Sequence, residues 1–115
     1  MITGKFPSLR LRRTRKYTWS RRLIQETNLS SSDFIYPIFL IEGKNNKQPI
    51  KSMPDIYKYT IDKLGIIVSK AIKNKIPMVA LFPSTPQKKK DYYGNEALNE
   101  NNLVCRATRY IKKRF

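Results

Sequence analysis

Residues 34–41 read FIYPIFLI, a nearly continuous apolar run of residues that favour β-strands. Such a run is typical of a strand buried on both faces, as in a parallel sheet covered by helices. Pro37 argues against a central position, because proline lacks the N–H that a ladder hydrogen bond requires and usually lies at sheet edges or strand starts. The stretch therefore predicts a buried strand with one irregular position.

The sequence after this strand predicts one β-α-β unit. Glu42 and Gly43 open a polar stretch with the pattern of a long loop, and Thr60 then offers an N-cap for a helix. The apolar positions of that helix recur at helical spacing and are Ile61, Leu64, Ile67, Val68, Ala71 and Ile72. Pro77 ends the helix, and Met78–Phe82 (MVALF) predicts a second strand, joined to the first by a right-handed crossover.

A further helix is predicted from about residue 99 or 100 to Arg114. Its apolar positions are spaced by three and four residues and are Leu103, Val104, Ala107, Tyr110, Ile111 and Phe115. Two parallel strands are not stable alone, and parallel sheets need helical cover. We therefore expect these elements to be the beginning of a larger α/β fold.

The N-terminal segment is strongly cationic. Residues 10–23 read RLRRTRKYTWSRRL, with seven cationic side chains and no acidic one. We predict an extended arm over residues 1–18 and a helix over residues 19–28 (WSRRLIQETN), which places Trp19, Leu23 and Ile24 on one face. Three environments fit such an arm: another subunit, solvent, or nucleic acid, on whose bases Tyr17 and Trp19 would stack.

The overall composition narrows the function classes. The chain has 24 Lys and Arg against 8 Asp and Glu, a net charge of +16, which attracts polyanions non-specifically. For the dispersed lysines, a compositional drift towards Lys, Asn and Ile is the simpler explanation. Because there is one cysteine and no histidine, this chain offers no internal disulfide, no Ser–His or Cys–His pair and no Cys/His zinc cage.

Location follows from two further features. No apolar run approaches the ~20 residues of a membrane span, and the N-terminus has no secretory signal. We expect no membrane contact and a cytoplasmic protein.

Four blocks occur in order along the chain. They are FPSLRLRRTRK leading into WSRRLIQETNLS, then DFIYPIFLIEG, then PIKSMPDIYKYTIDKL, and finally IPMVALFPSTPQKKKDYYGNEALNENNLVCRATRYIKKRF. This ordered set, which spans residues 6–115, resembles the N-terminal third of the porphobilinogen synthase (delta-aminolevulinic acid dehydratase) family.

The resemblance implies an α/β fold, the N-terminal portion of a (β/α)₈ TIM barrel that is incomplete in this chain. Residues 1–30 would be the arm and helix that contact a subunit, and residues 31–115 the first two β/α units. The family's enzyme is a hydro-lyase that condenses two 5-aminolevulinate molecules to porphobilinogen, on the route to haem, through Schiff bases on two lysines. It works as a homo-oligomer of octamer-like form.

The resemblance also bears on individual residues. The arm residues proposed for the subunit interface are Arg10, Arg12, Arg13, Arg15 and Trp19, because guanidinium groups suit interfaces. The family uses zinc or magnesium, and the wording ALFPSTPQKK favours magnesium. Its catalytic lysines, metal loop and substrate-carboxylate contacts lie after the matched third, so we assign no catalytic, cofactor or metal residue here and expect the chain to be inactive alone.

Several positions have simpler interpretations or depart from the family. Lys88, Lys89 and Lys90 are predicted to form a solvated basic loop, and Cys105 to be a small half-buried side chain on the last helix. Asp55 stands where the family has glycine after "SMP", and Gly65 interrupts a predicted helix.

Two other functions also fit the sequence. One is a small basic nucleic-acid-binding module. The other is an interaction piece whose arm docks on an intact synthase subunit.

Overall fold

The computed structural model describes residues 3–115 and begins with an arm that has little regular structure. A 3₁₀ turn at Arg13–Arg15 precedes helix α1, Thr18–Leu23. The helix is shorter than predicted, since Ile24 already leaves helical geometry at ψ 9°. Its apolar face has no partner within the described residues, with Trp19 67% and Leu23 77% exposed. A helix of one or two turns without tertiary packing is marginal, which explains the early end.

The predicted strands are confirmed, and they lie side by side. Strand β1 is Ile35–Leu40, and Met78–Pro83 is the last of the four strands, β4. They pair in parallel from Ile35 opposite Met78 to Leu40 opposite Pro83. Between them runs helix α2, Leu64–Lys73, which begins after a 3₁₀ turn at Ile61–Lys63. The predicted β-α-β unit is therefore present.

The stretch predicted as a long loop contains two short strands instead. Strands β2, Lys47–Pro49, and β3, Tyr57–Tyr59, form an antiparallel pair. Strand β3 also pairs in parallel with β1, with Phe39 opposite Lys58. The sheet has the order β2-β3-β1-β4.

Thr60 lies where an N-cap was predicted, but its side chain bonds elsewhere. The hydroxyl accepts from the backbone N–H of Asn46 and donates to the Asn46 carbonyl, both at 3.1 Å. Thr60 is fully buried. It therefore fastens the β2–β3 ribbon to the start of α2 rather than capping the helix.

The C-terminal part of the described chain holds two helices. Helix α3 is Asn95–Leu98, and helix α4 is Leu103–Arg114. The last helix begins later than predicted because the side chain of Asn102 caps it, accepting from the backbone N–H of Cys105 at 2.8 Å.

The core lies on one face of the sheet only. Helices α2 and α4 both pack there, and the buried residues of this cluster are Ile38, Leu40, Leu64, Val68, Leu103 and Ala107. The expectation that β1 is buried on both faces is wrong for residues 3–115. Its other face carries apolar side chains without helical cover, with Ile35 and Met78 each 57% and Phe82 50% exposed.

Pro37 is accommodated because β3 is short. The backbone N–H of Ile41 donates to the carbonyl of Tyr59 on the β3 side, and N–H groups two residues apart in a strand point to the same side. Pro37 therefore directs its missing N–H towards the β3 side, where pairing begins only at Phe39. The proline is at a local edge although β1 lies inside the sheet.

The two family departures have local explanations. Asp55 has φ 63°, so the residue that replaces the family's glycine adopts the left-handed conformation. Gly65 lies where α2 meets α4, and an added Cβ would come 3.5 Å from the guanidinium carbon of Arg114. That distance is ordinary contact, so the glycine is not required by sterics.

Candidate functional site

The carboxyl ends of β1 and β4 form one edge of the sheet, because the two strands are parallel. Glu42 follows β1, and Ser84 and Thr85 follow β4. A cleft of 450 Å³ opens at this edge, between the strand ends, the segment after β4 and the start of α4. Ligands of parallel α/β sheets bind at the carboxyl ends of the strands, so this edge is the candidate site.

An ion-pair network closes one side of the cleft. One guanidinium nitrogen of Arg106 donates to both carboxylate oxygens of Glu42, at 2.6 and 2.7 Å. Lys89 Nζ lies 3.8 Å from Glu42 and donates to Glu96 at 3.0 Å. The prediction that residues 88–90 form only a solvated basic loop is therefore incomplete, since Lys89 joins two carboxylates. The network fixes the loop after β4 to the start of α4.

Two carboxylates order the turn before α3. Asp91 accepts from the backbone N–H of Asn95 at 3.0 Å, and this hydrogen bond is the main reason that the pKa of Asp91 is lowered. The hydrogen bond from Lys89 lowers the pKa of Glu96 in the same way. Gly94 has φ 69°, a conformation that favours glycine. Charged hydrogen bonds therefore hold the cleft's outer wall in place.

A second polar group stands on the face of the sheet that the helices leave open. Phe39 and Phe82 face each other across β1 and β4, with ring centroids 5.6 Å apart. Above them, Lys58 Nζ donates to Ser84 Oγ at 3.2 Å, and both residues are half-buried. This pair reaches across β1 from β3 to the end of β4, and no sequence motif indicated it.

The described residues do not form a metal site. No group of three or more His, Cys, Asp or Glu side chains within residues 3–115 is placed to hold an ion. Cys105 is a half-buried free thiol on the first turn of α4. A zinc site with three or four protein ligands therefore does not fit residues 3–115.

The predicted interface residues lie on the arm and, for Trp19, on α1, and none of them lines the cleft. Arg10, Arg12, Arg13, Arg15 and Trp19 are exposed. None of the four arginines pairs with a carboxylate among residues 3–115. The rings of Tyr17 and Trp19 lie parallel within 8°, with centroids 6.4 Å apart. The described chain measures 72 × 34 × 26 Å, consistent with an arm that extends from the body.

A family model relates this chain to known proteins. The model for delta-aminolevulinic acid dehydratase matches residues 8–115. The chain belongs to this family. The crystal structure of the delta-aminolevulinic acid dehydratase of Toxoplasma gondii ME49, in complex with its product porphobilinogen, has a TM-score of 0.84 and 32% identity. That alignment covers 93% of this chain and 30% of the other.

Relatives in bacteria and archaea extend the match. The dehydratase of Bradyrhizobium diazoefficiens is 44% identical over 108 residues, covering 94% of this chain and 31% of the relative. That of Methanothermus sociabilis is 40% identical over 109 residues, covering 95% and 33%. The chain thus spans about a third of the length of these relatives. The resemblance drawn from the four sequence blocks is confirmed, and the open α/β sheet is consistent with part of the family's TIM barrel.

The helices were also compared with the requirements of a membrane-spanning segment. Among residues 3–115, none of the helices has both the length and the apolar character that crossing a bilayer requires.

Proposed function

We propose that this chain forms the N-terminal part of a porphobilinogen synthase, a hydro-lyase that condenses two 5-aminolevulinate molecules to porphobilinogen. The observation that carries the proposal is the TM-score of 0.84 to a dehydratase that holds porphobilinogen. The uncovered apolar face supports it, because the inner wall of a (β/α)₈ barrel is apolar and has helices only on its outside.

The Schiff-base lysines would come from segments other than residues 3–115. A lysine acts as a nucleophile when an apolar or cationic pocket favours its neutral amine. Lys89 instead lies between Glu42 and Glu96. Lys88 and Lys90 are exposed. We therefore assign this segment the role of a barrel wall and rim, and we expect the 115-residue chain to be inactive alone.

The metal would also be held outside this segment. Residues 3–115 offer no cluster of three ligands, and the sequence has no histidine. Magnesium remains the favoured ion, and this preference rests on the sequence ALFPSTPQKK alone.

The arm would dock on another subunit of a homo-oligomer, octamer-like in form. Residues 1–30 carry eight Lys and Arg against one acid, a net +7, whereas residues 31–115 carry 16 against seven, a net +9. Two surfaces of like charge repel each other, so the acceptor surface for the arm needs acidic residues that residues 31–115 do not provide in excess. Arg and Trp are enriched at the centre of such interfaces.

Fragment complementation tests this function. The 115-residue chain is expressed alone and together with the C-terminal two thirds of the Bradyrhizobium diazoefficiens dehydratase, and porphobilinogen formed from 5-aminolevulinate is measured by chromatography. We expect product only from the pair. Turnover by the chain alone would contradict the placement of the catalytic lysines.

The same samples separate the alternatives. An arm that docks on intact synthase predicts co-purification with full-length dehydratase, and substituting Trp19 by Ala would weaken it. A nucleic-acid-binding module predicts tight binding whose log affinity falls steeply with log salt, whereas net charge alone gives only weak binding without sequence preference.

A further inference from the structure

The side chains of Lys58 and Ser84 meet at the rim of the uncovered face. In a parallel pair, residues in register share a face, so Lys58 lies on the side of Phe39. Ser84 comes two residues after Phe82 and continues that face, with its backbone N–H donating to the Leu40 carbonyl at 2.8 Å. The two polar groups therefore stand directly above an aromatic floor at the carboxyl edge of the sheet.

The Lys58 ammonium lacks a counterion within residues 3–115. Ion pairs in this part of the chain join Lys89 and Arg106 to Glu42 and Glu96, and none includes Lys58. Its hydrogen-bond partner there is the neutral hydroxyl of Ser84, at 3.2 Å. An ammonium group has three donors, so two are left over. A carboxylate would accept from these free donors and form a charge-assisted hydrogen bond, which is stronger than the bond to a neutral hydroxyl.

We propose that Lys58 and Ser84 form a carboxylate-binding pair on the inner wall of the barrel mouth. The ammonium of Lys58 would make the charged hydrogen bond, and the hydroxyl of Ser84 would orient it and donate a second one. The rings of Phe39 and Phe82 would contact the carbon chain of the ligand. The proposal rests on the proposed function, because that function places this face inside a barrel.

Two sources of a carboxylate fit the position. One is the small-molecule acid itself, since 5-aminolevulinate carries one carboxylate and porphobilinogen two; Lys58 would then act in addition to the substrate-carboxylate contacts that the family resemblance places after the matched third. The other is an Asp or Glu side chain from the strands that complete the sheet. Both require the same ammonium and hydroxyl, and the experiment below distinguishes them.

The test in the assembled enzyme compares Lys58→Met with Lys58→Arg, Ser84→Ala and the control Lys51→Met. Lys51 is exposed in the same ribbon, so the control removes an equal charge. If the carboxylate belongs to the substrate, Lys58→Met raises KM for 5-aminolevulinate on the order of tenfold, with kcat changed much less. Lys58→Arg should restore most of the loss, and Ser84→Ala should show a smaller increase.

If the carboxylate belongs to a side chain, the same substitution weakens association of the two polypeptides on the order of tenfold and leaves KM unchanged. Either result supports the proposed carboxylate-binding pair of Lys58 and Ser84. Lys58→Met indistinguishable from Lys51→Met in KM, kcat and association would overturn it.

A second measurement does not depend on activity. The ¹⁵N-labelled chain is titrated with sodium acetate that replaces sodium chloride at constant ionic strength, and backbone shifts are followed by NMR. We expect shifts centred on Lys58 and Ser84 that saturate and are absent in Lys58→Met. Shifts spread evenly over all lysines would overturn the proposal, whereas failure of the assembled enzyme to form porphobilinogen would instead count against the proposed function.

Discussion

Two isoleucines of one strand give a direct test of the one-sided core. Ile38 is 1% and Ile35 57% exposed, and they lie on opposite faces of β1. Replacing Ile by Ala removes the equivalent of three methylene groups, each worth about 0.8 kcal/mol when fully buried. For Ile38 this gives about 2.4 kcal/mol, which a cavity term raises to roughly 3–4 kcal/mol. For Ile35 less than half of that surface is buried and solvent fills the gap, so we expect about 1 kcal/mol.

The assay is urea unfolding of the 115-residue chain followed by far-UV circular dichroism, at two protein concentrations. The milder pair Ile38→Val and Ile35→Val serves if Ile38→Ala leaves too little folded protein, with expected costs of about 1 and under 0.5 kcal/mol. In the complemented enzyme the cost at Ile35 should rise to that at Ile38, because the inner face is then covered. Equal costs at both positions in the chain alone, at both concentrations, would refute the one-sided core.

Three further predictions concern single positions. Asp55→Gly should stabilise the chain by about 0.5–1 kcal/mol in urea unfolding, because relief of the left-handed conformation outweighs the added backbone entropy of glycine; a lower midpoint would contradict this. Glu42→Gln should cost under about 1 kcal/mol, since the pair with Arg106 is partly exposed, yet should speed amide exchange in the segment after β4. Asp91 and Glu96 have lowered pKa values in the folded chain, so their contribution is present above the ordinary carboxyl values of 3.8 and 4.5 and is lost as the pH falls below them. The protection factor of the Asn95 amide, which compares its exchange with the intrinsic rate at the same pH, should therefore fall below about pH 4; a protection factor independent of pH would argue against the hydrogen bond to Asp91.

Strands β1 and β4 and helices α2 and α4 were predictable from the sequence, because their patterns depend on local periodicity. Strand β1 occupies IYPIFL within FIYPIFLI, MVALF lies in β4, and the stripe from Leu103 to Ile111 is helical. The first helix was predicted too long, since an apolar stripe such as Trp19 and Leu23 shows amphipathic spacing without showing whether a partner covers it. For the same reason, the apolar run of β1 indicated that both faces of the strand are shielded from solvent. It did not show which polypeptide covers the second face.

The β2–β3 ribbon and the polar pairs were not predictable from the sequence. Three-residue strands such as YKY are too short for a periodic signal and exist because β1 and Thr60 hold them in place. Lys58 and Ser84 are 26 residues apart, and Glu42 and Arg106 are 64 apart. Spacings of that kind belong to no local motif, so only the folded chain brings these groups together.

The short length of β3 makes the two borders of the sheet unequal as templates for further strands. Within residues 3–115, Ser84 donates to Leu40 of β1, so β4 directs Val79, Leu81 and Pro83 to its outer side, where they offer two N–H donors and three carbonyl acceptors to a parallel neighbour. On the opposite side, β1 offers only Ile35 to Pro37 before β3 begins, and the proline there donates nothing. A parallel neighbour on β4 would therefore gain more main-chain hydrogen bonds than one on β1, where the seam would depend more on side-chain packing.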